Sequence, residues 1–513
     1  MLFNSYIFIF VFLPITLVVS HLISKTKKIN LLISWMIIAS LFFYGWWNIY
    51  YLWLVIFSAI FNYSVASCLI KINKKYKNLL LIFGIAVNLG LLSYFKYYNF
   101  FLENIAFFFE NQIFLETIIL PLGISFFTFQ QIAFLVDVYK GIKKNYKFLP
   151  YFLFVTFFPQ LIAGPIVYHN QLIPQFLQKE IFGIKSKNLA IGFAIFTLGL
   201  FKKVILADNA SLYVNLIFGA AETNFTISFL DAWSGALFYT FQLYFDFSGY
   251  SDMAVGLARM FGIIIPINFY SPYKSTSIIE FWRRWHITLS NFLKNYLYFP
   301  LGGGRLGTNR KMINIMITMI LGGLWHGAGW LFLLWGAMHG LFIVINHTWN
   351  IYFNLKLWVF FKWFITMLAV VFAWVPFRCE SVEGLINMWS GMIGLNGFLI
   401  HESYLNFFEK QNFIKYLFEF INFEIANDNL IIDFSGIILI CLLLSITLFM
   451  PNTSQFMSRF TNYNFKFKSD LFRNHTKILF WKPNLLWSLL IVFLFCIAVL
   501  NLFGVSEFLY YQF

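Results

Sequence analysis

The sequence predicts an all-α polytopic membrane protein, and three observations carry that prediction: the apolar content, the scarcity of charge, and the lysine clusters that punctuate the apolar runs. Of 513 residues, 60% are apolar and 11% charged, against ~45–50% and ~25% in soluble domains. Phe, Trp and Tyr, at 70, 17 and 27 residues, form 22% of the chain. This bulk suits a lipid solvent and excludes a soluble fold and low-complexity disorder. At about 20 residues per crossing the apolar residues cap the count near 15, and the apolar runs themselves predict about ten to twelve membrane helices in one domain covering residues 1–513.

The first run, 2–24, has no positive leader, and its lysines follow it, the reverse of a cleavable signal. It reads as a first membrane helix with its N-terminus outside. Runs 30–48, 49–70, 78–97 and 119–139 alternate with the clusters Lys25/Lys27/Lys28, Lys71/Lys74/Lys75/Lys77 and Lys140/Lys143/Lys144/Lys147. The positive-inside rule places those clusters in the cytoplasm of an inner-membrane protein. Asn99–Thr117, with Glu103, Glu110 and Glu116, reads as an external loop carrying a surface helix. Segments 148–165 and 278–300 combine polar residues with Pro–Gly breaks, as in Phe158-Pro159-Gln160 with Gly164-Pro165 and Pro300 with Gly302-Gly303-Gly304. Irregular backbone at that depth must be buried in protein or line a wet cavity, so both read as re-entrant or interfacial.

The runs 188–206, 232–262, 312–347, 357–377, 430–450 and 484–506 complete the spans, and the last carries the C-terminus out. Residues 395–430 read as an acidic external insertion, with Glu402, Glu409, Glu419, Glu424 and Asp428 inside it and Asp433 just beyond. The excess of 36 Lys and Arg over 21 Asp and Glu sits in loops, including Arg283–Lys311 and Arg459–Lys482. It has no basic arm, so the partner it implies is membrane lipid and not nucleic acid. Cys68, Cys379, Cys441 and Cys496 form no cluster, and three of them read as buried thiols in apolar runs. No metal motif is present.

Chemistry concentrates between Gln242 and His339. Gln242, Tyr244, Asp246, Ser248 and Asp252 interrupt an apolar helix, and each mid-span carboxylate costs roughly 2.5–3.5 kcal/mol to insert. They face protein or water, either as an interhelical network or along a substrate path. In Glu280-Phe281-Trp282-Arg283-Arg284-Trp285-His286 the arginines, Arg284 among them, suit an anionic donor or anchor the inner interface. In Gly322-Gly323-Leu324-Trp325-His326-Gly327-Ala328-Gly329, a helix running in from Lys311 carries His326 roughly 22 Å deep. Glycines there permit close packing beside the imidazole, which can take a proton from an alcohol attacking an acyl carbonyl. His339, 13 residues on, falls on a different face of such a helix.

These motifs, with Pro121-Leu122-Gly123-Ile124-Ser125-Phe126 and Ala163-Gly164-Pro165, make the chain resemble the bacterial branch of the membrane-bound O-acyltransferase (MBOAT) family. That branch holds alginate and peptidoglycan O-acetylation proteins and the teichoic acid D-alanyl transfer protein. The resemblance implies a ring of helices with re-entrant segments around a central tunnel, and catalytic His326 with His286 as the second histidine; Gln242, Tyr244, Asp246, Ser248, Asp252, Trp325 and Arg284 are expected as tunnel or supporting residues. It also implies O-acetylation of a cell-envelope polysaccharide, with no bound cofactor. The cytoplasmic donor is acetyl-CoA or another acyl thioester, and an external O-acetyltransferase is the expected partner. A transporter or channel with a polar mid-membrane path is the alternative from another class, since broken helices and buried polar groups suit permeation equally.

Overall fold

The computed structural model describes residues 1–109, 117–142, 146–178, 181–223, 225–353, 357–401, 424–426, 432–461, 479–502 and 508–509. They are overwhelmingly helical. The strands among them are one three-residue parallel pair, Leu399–His401 with Glu424–Ala426, Leu399 opposite Glu424. Six helical stretches are long and apolar enough to cross a membrane: Phe8–Lys25, Ile49–Lys71, Lys74–Ala106, Ser186–Ala221, Trp330–Tyr352 and Val359–Arg378. Shorter apolar helices run over Ile29–Gly45, Ile124–Tyr139, Phe434–Phe449 and Leu485–Leu500. Most of the 395–430 insertion lies outside the described residues, as do Glu110, Glu116, Lys143 and Lys144.

An apolar outer surface is what lipid requires, and it changes the meaning of an apolar run. Leu485 and Leu486 stay about three-quarters exposed. Cys68, Cys441 and Cys496, expected to be buried, are exposed on helices, whereas Cys379 is buried. In a bilayer, hydrophobicity marks the lipid face as readily as the core.

At the centre stands the 32-residue helix Phe229–Met260, in which every residue from Phe238 to Ser251 is buried. Helix Ser186–Phe201 crosses it at two glycine pairs. A Cβ on Gly192 would fall 2.6 Å from the Gly256 carbonyl, and one on Gly199 2.5 Å from that of Gly249. Backbones this close bring in dispersion contact that lipid cannot replace. The helix continues as a π-turn, Lys202–Ala207. Lys202 Nζ there lies 2.6 Å from Asp252 Oδ2, and Lys203 Nζ lies 2.5 Å from Asp246 Oδ1 and 2.9 Å from Asp208 Oδ1. Thr453 also donates to Asp252.

Two segments differ from the sequence expectation, and a third meets it. The chain after residue 97 does not turn onto the surface, because one helix runs unbroken over Lys74–Phe109. At 1.5 Å per residue it is about 54 Å long and outspans the ~30 Å hydrocarbon layer, so Glu103 rides on its projecting end. The run 312–347 is two helices, Thr308–His326 and Trp330–Tyr352, broken at Gly327-Ala328-Gly329. Segment 148–165 is a broken helix, Phe148–Thr156 then Phe158–Leu161, with residues 153–167 buried throughout. Its irregular backbone is shielded by protein, as the Pro–Gly breaks demanded.

Candidate functional site

His326 is the last residue of its helix, and the break after it exposes the orphan carbonyls of a helix C-terminus. One neighbouring helix satisfies three in a row. Tyr97 Oη donates to Leu324 O at 2.8 Å, and Lys96 Nζ donates to Trp325 O at 2.5 Å and His326 O at 2.9 Å. Lys96 is itself buried, and a cation at this end also complements the helix dipole. The imidazole sits among the rings of Trp325, Trp335 and Phe377, at centroid distances of 4.9, 5.1 and 5.3 Å. Glycine makes the setting possible: a Cβ on Gly323 would lie 2.2 Å from Phe332 O, and one on Gly336 2.5 Å from Met319 O.

His286 is held differently. It links helices Ile278–Arg284 and Ile287–Leu293 with left-handed φ/ψ of 39° and 55°, a conformation costing roughly 1–2 kcal/mol for a residue with a Cβ. The preceding buried segment templates the turn. Asn268 O accepts from Ile287 N–H at 2.9 Å, and Tyr270 N–H donates to Arg284 O at 3.0 Å. Asn268 Oδ1 lies 3.0 Å from His286 Nδ1 and accepts from Thr288 Oγ1 at 2.9 Å and Thr288 N–H at 3.3 Å. Thr288 Oγ1 in turn accepts from Ile166 N–H at 2.9 Å, tying the Gly164-Pro165 break to the histidine turn.

The structure brings together His286, Trp325 and His326. The Trp325 ring is 6.4 Å from His286 and 4.9 Å from His326. Tyr244 reaches this cluster through Trp285, 6.5 Å away, and Phe247 meets His286 edge-on at 4.7 Å. Gln242 and Ser248 are buried in the same helix. Asp246 and Asp252 turn instead to Lys203 and Lys202, and Arg284 pairs with Glu280 one turn back, 2.6 Å from Oε1. His339 lies on the second helix after the break, so the single-helix geometry does not apply. It is fully buried, with Trp335, 5.0 Å away, separating it from His326. His169, the first residue of helix His169–Phe176, is buried with Nε2 3.0 Å from Asp137 Oδ2.

The sequence reading passed over Lys96, Tyr97 and Asn268. A lone lysine in Leu92-Ser93-Tyr94-Phe95-Lys96-Tyr97 was a usable signal, because an intramembrane cation is a functional candidate by default. Asn268 left none, since its role depends on a loop fold that no periodicity reports.

Cavities reach the chain neighbours of the two histidines, Ile287 and Gly327. One, of about 550 Å³, is lined by Trp282, Ile287, Leu293 and Met319 with Arg283, Lys294 and Lys311 among its polar residues. A second cavity, of about 240 Å³, is lined by Lys96, Asn99, Glu103, Gly327 and Ala328. It shares Glu103, Ala328 and Phe332 with a larger one of about 930 Å³ reaching Arg378 and Glu380. Among the described residues, no cluster of three or more His, Cys, Asp and Glu could hold a metal.

The family model described as MBOAT, membrane-bound O-acyltransferase family, matches residues 41–389. The chain is similar to a peptidoglycan O-acetyltransferase of Helicobacter pylori, 43% identical over 430 residues, covering 77% of this chain and 80% of the relative. A probable alginate O-acetylase of Pseudomonas aeruginosa is 41% identical over 409 residues, covering 78% and 76%. A teichoic acid D-alanyltransferase of Streptococcus thermophilus is 29% identical over 244 residues, covering 44% and 57%. The matched span includes both histidine motifs, and the chain belongs to the membrane-bound O-acyltransferase family, as an acyltransferase embedded in the membrane by several apolar helices.

Proposed function

We propose that this protein moves an acetyl group from a cytoplasmic acyl thioester to a hydroxyl destined for a cell-envelope polysaccharide, with His326 as general base and His286 as its supporting histidine. The observation that carries the reading is that Trp325 packs near both His326 and His286 while cavities reach their chain neighbours Gly327 and Ile287. The relatives named for peptidoglycan and alginate O-acetylation favour a glycan of that kind as the final acceptor.

The basic cavity suits the donor. Arg283, Lys294 and Lys311 offer charge-assisted hydrogen bonds to a phosphorylated carrier such as acetyl-CoA, and the apolar wall accepts its thioester arm. Lysine clusters put this side in the cytoplasm and both termini outside. The other cavities, with Glu103, Arg378 and Glu380, then open outward, where an external O-acetyltransferase receives the group. In the transfer step the His326 imidazole takes the proton of the attacking hydroxyl while its oxygen bonds to the thioester carbonyl carbon. The C–S bond breaks, and the imidazolium returns the proton to the departing thiolate. An aromatic box around His326 excludes water that would hydrolyse the donor.

The test is envelope O-acetyl content in cells carrying His326→Ala, with membrane levels of the protein checked. The expected result is loss of acetylation at unchanged abundance, by roughly 10²-fold or more. Undiminished acetylation defeats the assignment of His326 as the base.

A further inference from the structure

We infer that Asn268 is a positioning residue that fixes the neutral His286 ring as its Nδ1–H tautomer, reserving Nε2 as the proton-accepting nitrogen. The inference rests on the acyltransferase reading of the site. It follows from donors whose identity is fixed by covalent structure.

Thr288 N–H can only donate, and it points at one Asn268 side-chain atom from 3.3 Å. That atom is therefore the amide oxygen, because the NH₂ end would set two donors against each other. Ile166 N–H likewise can only donate, and it reaches Thr288 Oγ1 at 2.9 Å. The hydroxyl's own hydrogen is then directed to Asn268 Oδ1, 2.9 Å away. At the far end of the amide, Nδ2 faces Ser251 Oγ at 3.4 Å, a group able to accept. The oxygen so assigned stands 3.0 Å from His286 Nδ1. A lone pair on Nδ1 would leave two acceptors face to face, so Nδ1 carries the hydrogen and Nε2 the lone pair.

The arrangement is built for orientation. Asn268 is 1% exposed, and its backbone carbonyl holds Ile287 N–H while its side chain holds the ring. Both contacts grip the turn whose histidine adopts a left-handed backbone, and strain of that kind persists only when its surroundings over-determine it. An asparagine orienting a histidine from behind is the logic by which hydrolytic triads set the tautomer of their base.

The first test uses the unaltered protein. In the full chain in nanodiscs with ¹⁵N-labelled histidine, the resonances that disappear in His286→Gln are expected to show a protonated Nδ1 and an unprotonated Nε2. Protonation at Nε2 with a bare Nδ1, or at both nitrogens, overturns the inference without reference to activity. The second test follows acetyl-CoA turnover by the purified protein. Asn268→Leu is expected to lower kcat about 100-fold with KM for acetyl-CoA little changed, and Asn268→Asp, which keeps the acceptor oxygen, to recover at least about a tenth of the wild-type rate. Full activity in Asn268→Leu, a parallel change in kcat and KM, or no rescue by Asp counts against it. If His326→Ala proves harmless the proposed role of His326 falls, whereas the His286 spectrum still decides the tautomer.

Discussion

The two histidines of the site are held by opposite strategies. His326 ends a membrane helix, and backbone groups position it: the crossing at Gly323 and Gly336, and the carbonyls of residues 324–326 capped by Lys96 and Tyr97. His286 sits in an irregular turn between two seven-residue helices, and a side-chain network through Asn268, Thr288 and Ile166 positions it. The first arrangement fixes where a ring sits along a rigid rod. The second, on the inference drawn above, fixes which nitrogen a ring presents.

The contrast is sharpest at Gly322 and Gly323. A Cβ on Gly323 would overlap Phe332 O at 2.2 Å, whereas one on Gly322 would meet the end of Leu293 at 3.3 Å. Gly323→Ala is therefore expected to force apart the helix carrying His326 and its neighbour, destabilising the protein by about 3 kcal/mol and removing activity. Gly322→Ala is expected to stay within a few-fold of wild type. Thermal unfolding in detergent and acetyl-CoA turnover check both. Equal tolerance at the two positions would show that the crossing does not set His326.

Lys96 comes next. Replacing it with Met keeps the bulk and removes the donor from two carbonyls, hydrogen bonds of a charged group worth ~1.5–3 kcal/mol each when buried. Desolvation of the buried amine offsets much of that in stability, so the larger effect falls on activity, expected to drop about 100-fold. Lys96→Arg is expected to lie between Met and wild type, because guanidinium donates but does not fit the same space. If Met matches wild type in turnover, the cap on residues 325 and 326 is dispensable.

How much of this was legible depended on whether a feature is local. The membrane helices, both histidines and the buried break at 148–165 follow from composition and from polar residues at forbidden depth, whereas the expected break at Pro300–Gly304 is buried only at Gly303. The division of labour within Gln242–Asp252 did not. Asp246 and Phe247 are neighbours in sequence, yet one pairs with Lys203 and the other packs on His286, since consecutive residues point about 100° apart on a helix. The lysines that neutralise the carboxylates stand next to each other in a π-turn, a geometry that carries no hydropathy signature. The break after His326 is written in its glycines, but glycine also permits an unbroken helix to pack closely, so the single helix expected to carry both His326 and His339 is in fact two.

The smallest expected effect tests the outer link of the His286 network. Thr288→Val keeps the shape of the side chain while removing the hydroxyl that donates to Asn268 Oδ1 and accepts from Ile166 N–H. Asn268 retains the Thr288 backbone N–H and the ring itself as donors, so the tautomer of His286 is expected to survive. What is lost is the tether to the Gly164-Pro165 segment, and with it part of the ring's fixed orientation. Turnover is expected to fall about tenfold, equivalent to ~1.4 kcal/mol, with Thr288→Ser near wild type. The histidine spectrum separates the two contributions. An unchanged tautomer with slower turnover places the effect in orientation, whereas a changed tautomer makes Thr288, and not Asn268 alone, the residue that sets the ring. Turnover equal to wild type would leave the His286 turn self-sufficient and confine the side-chain strategy to Asn268.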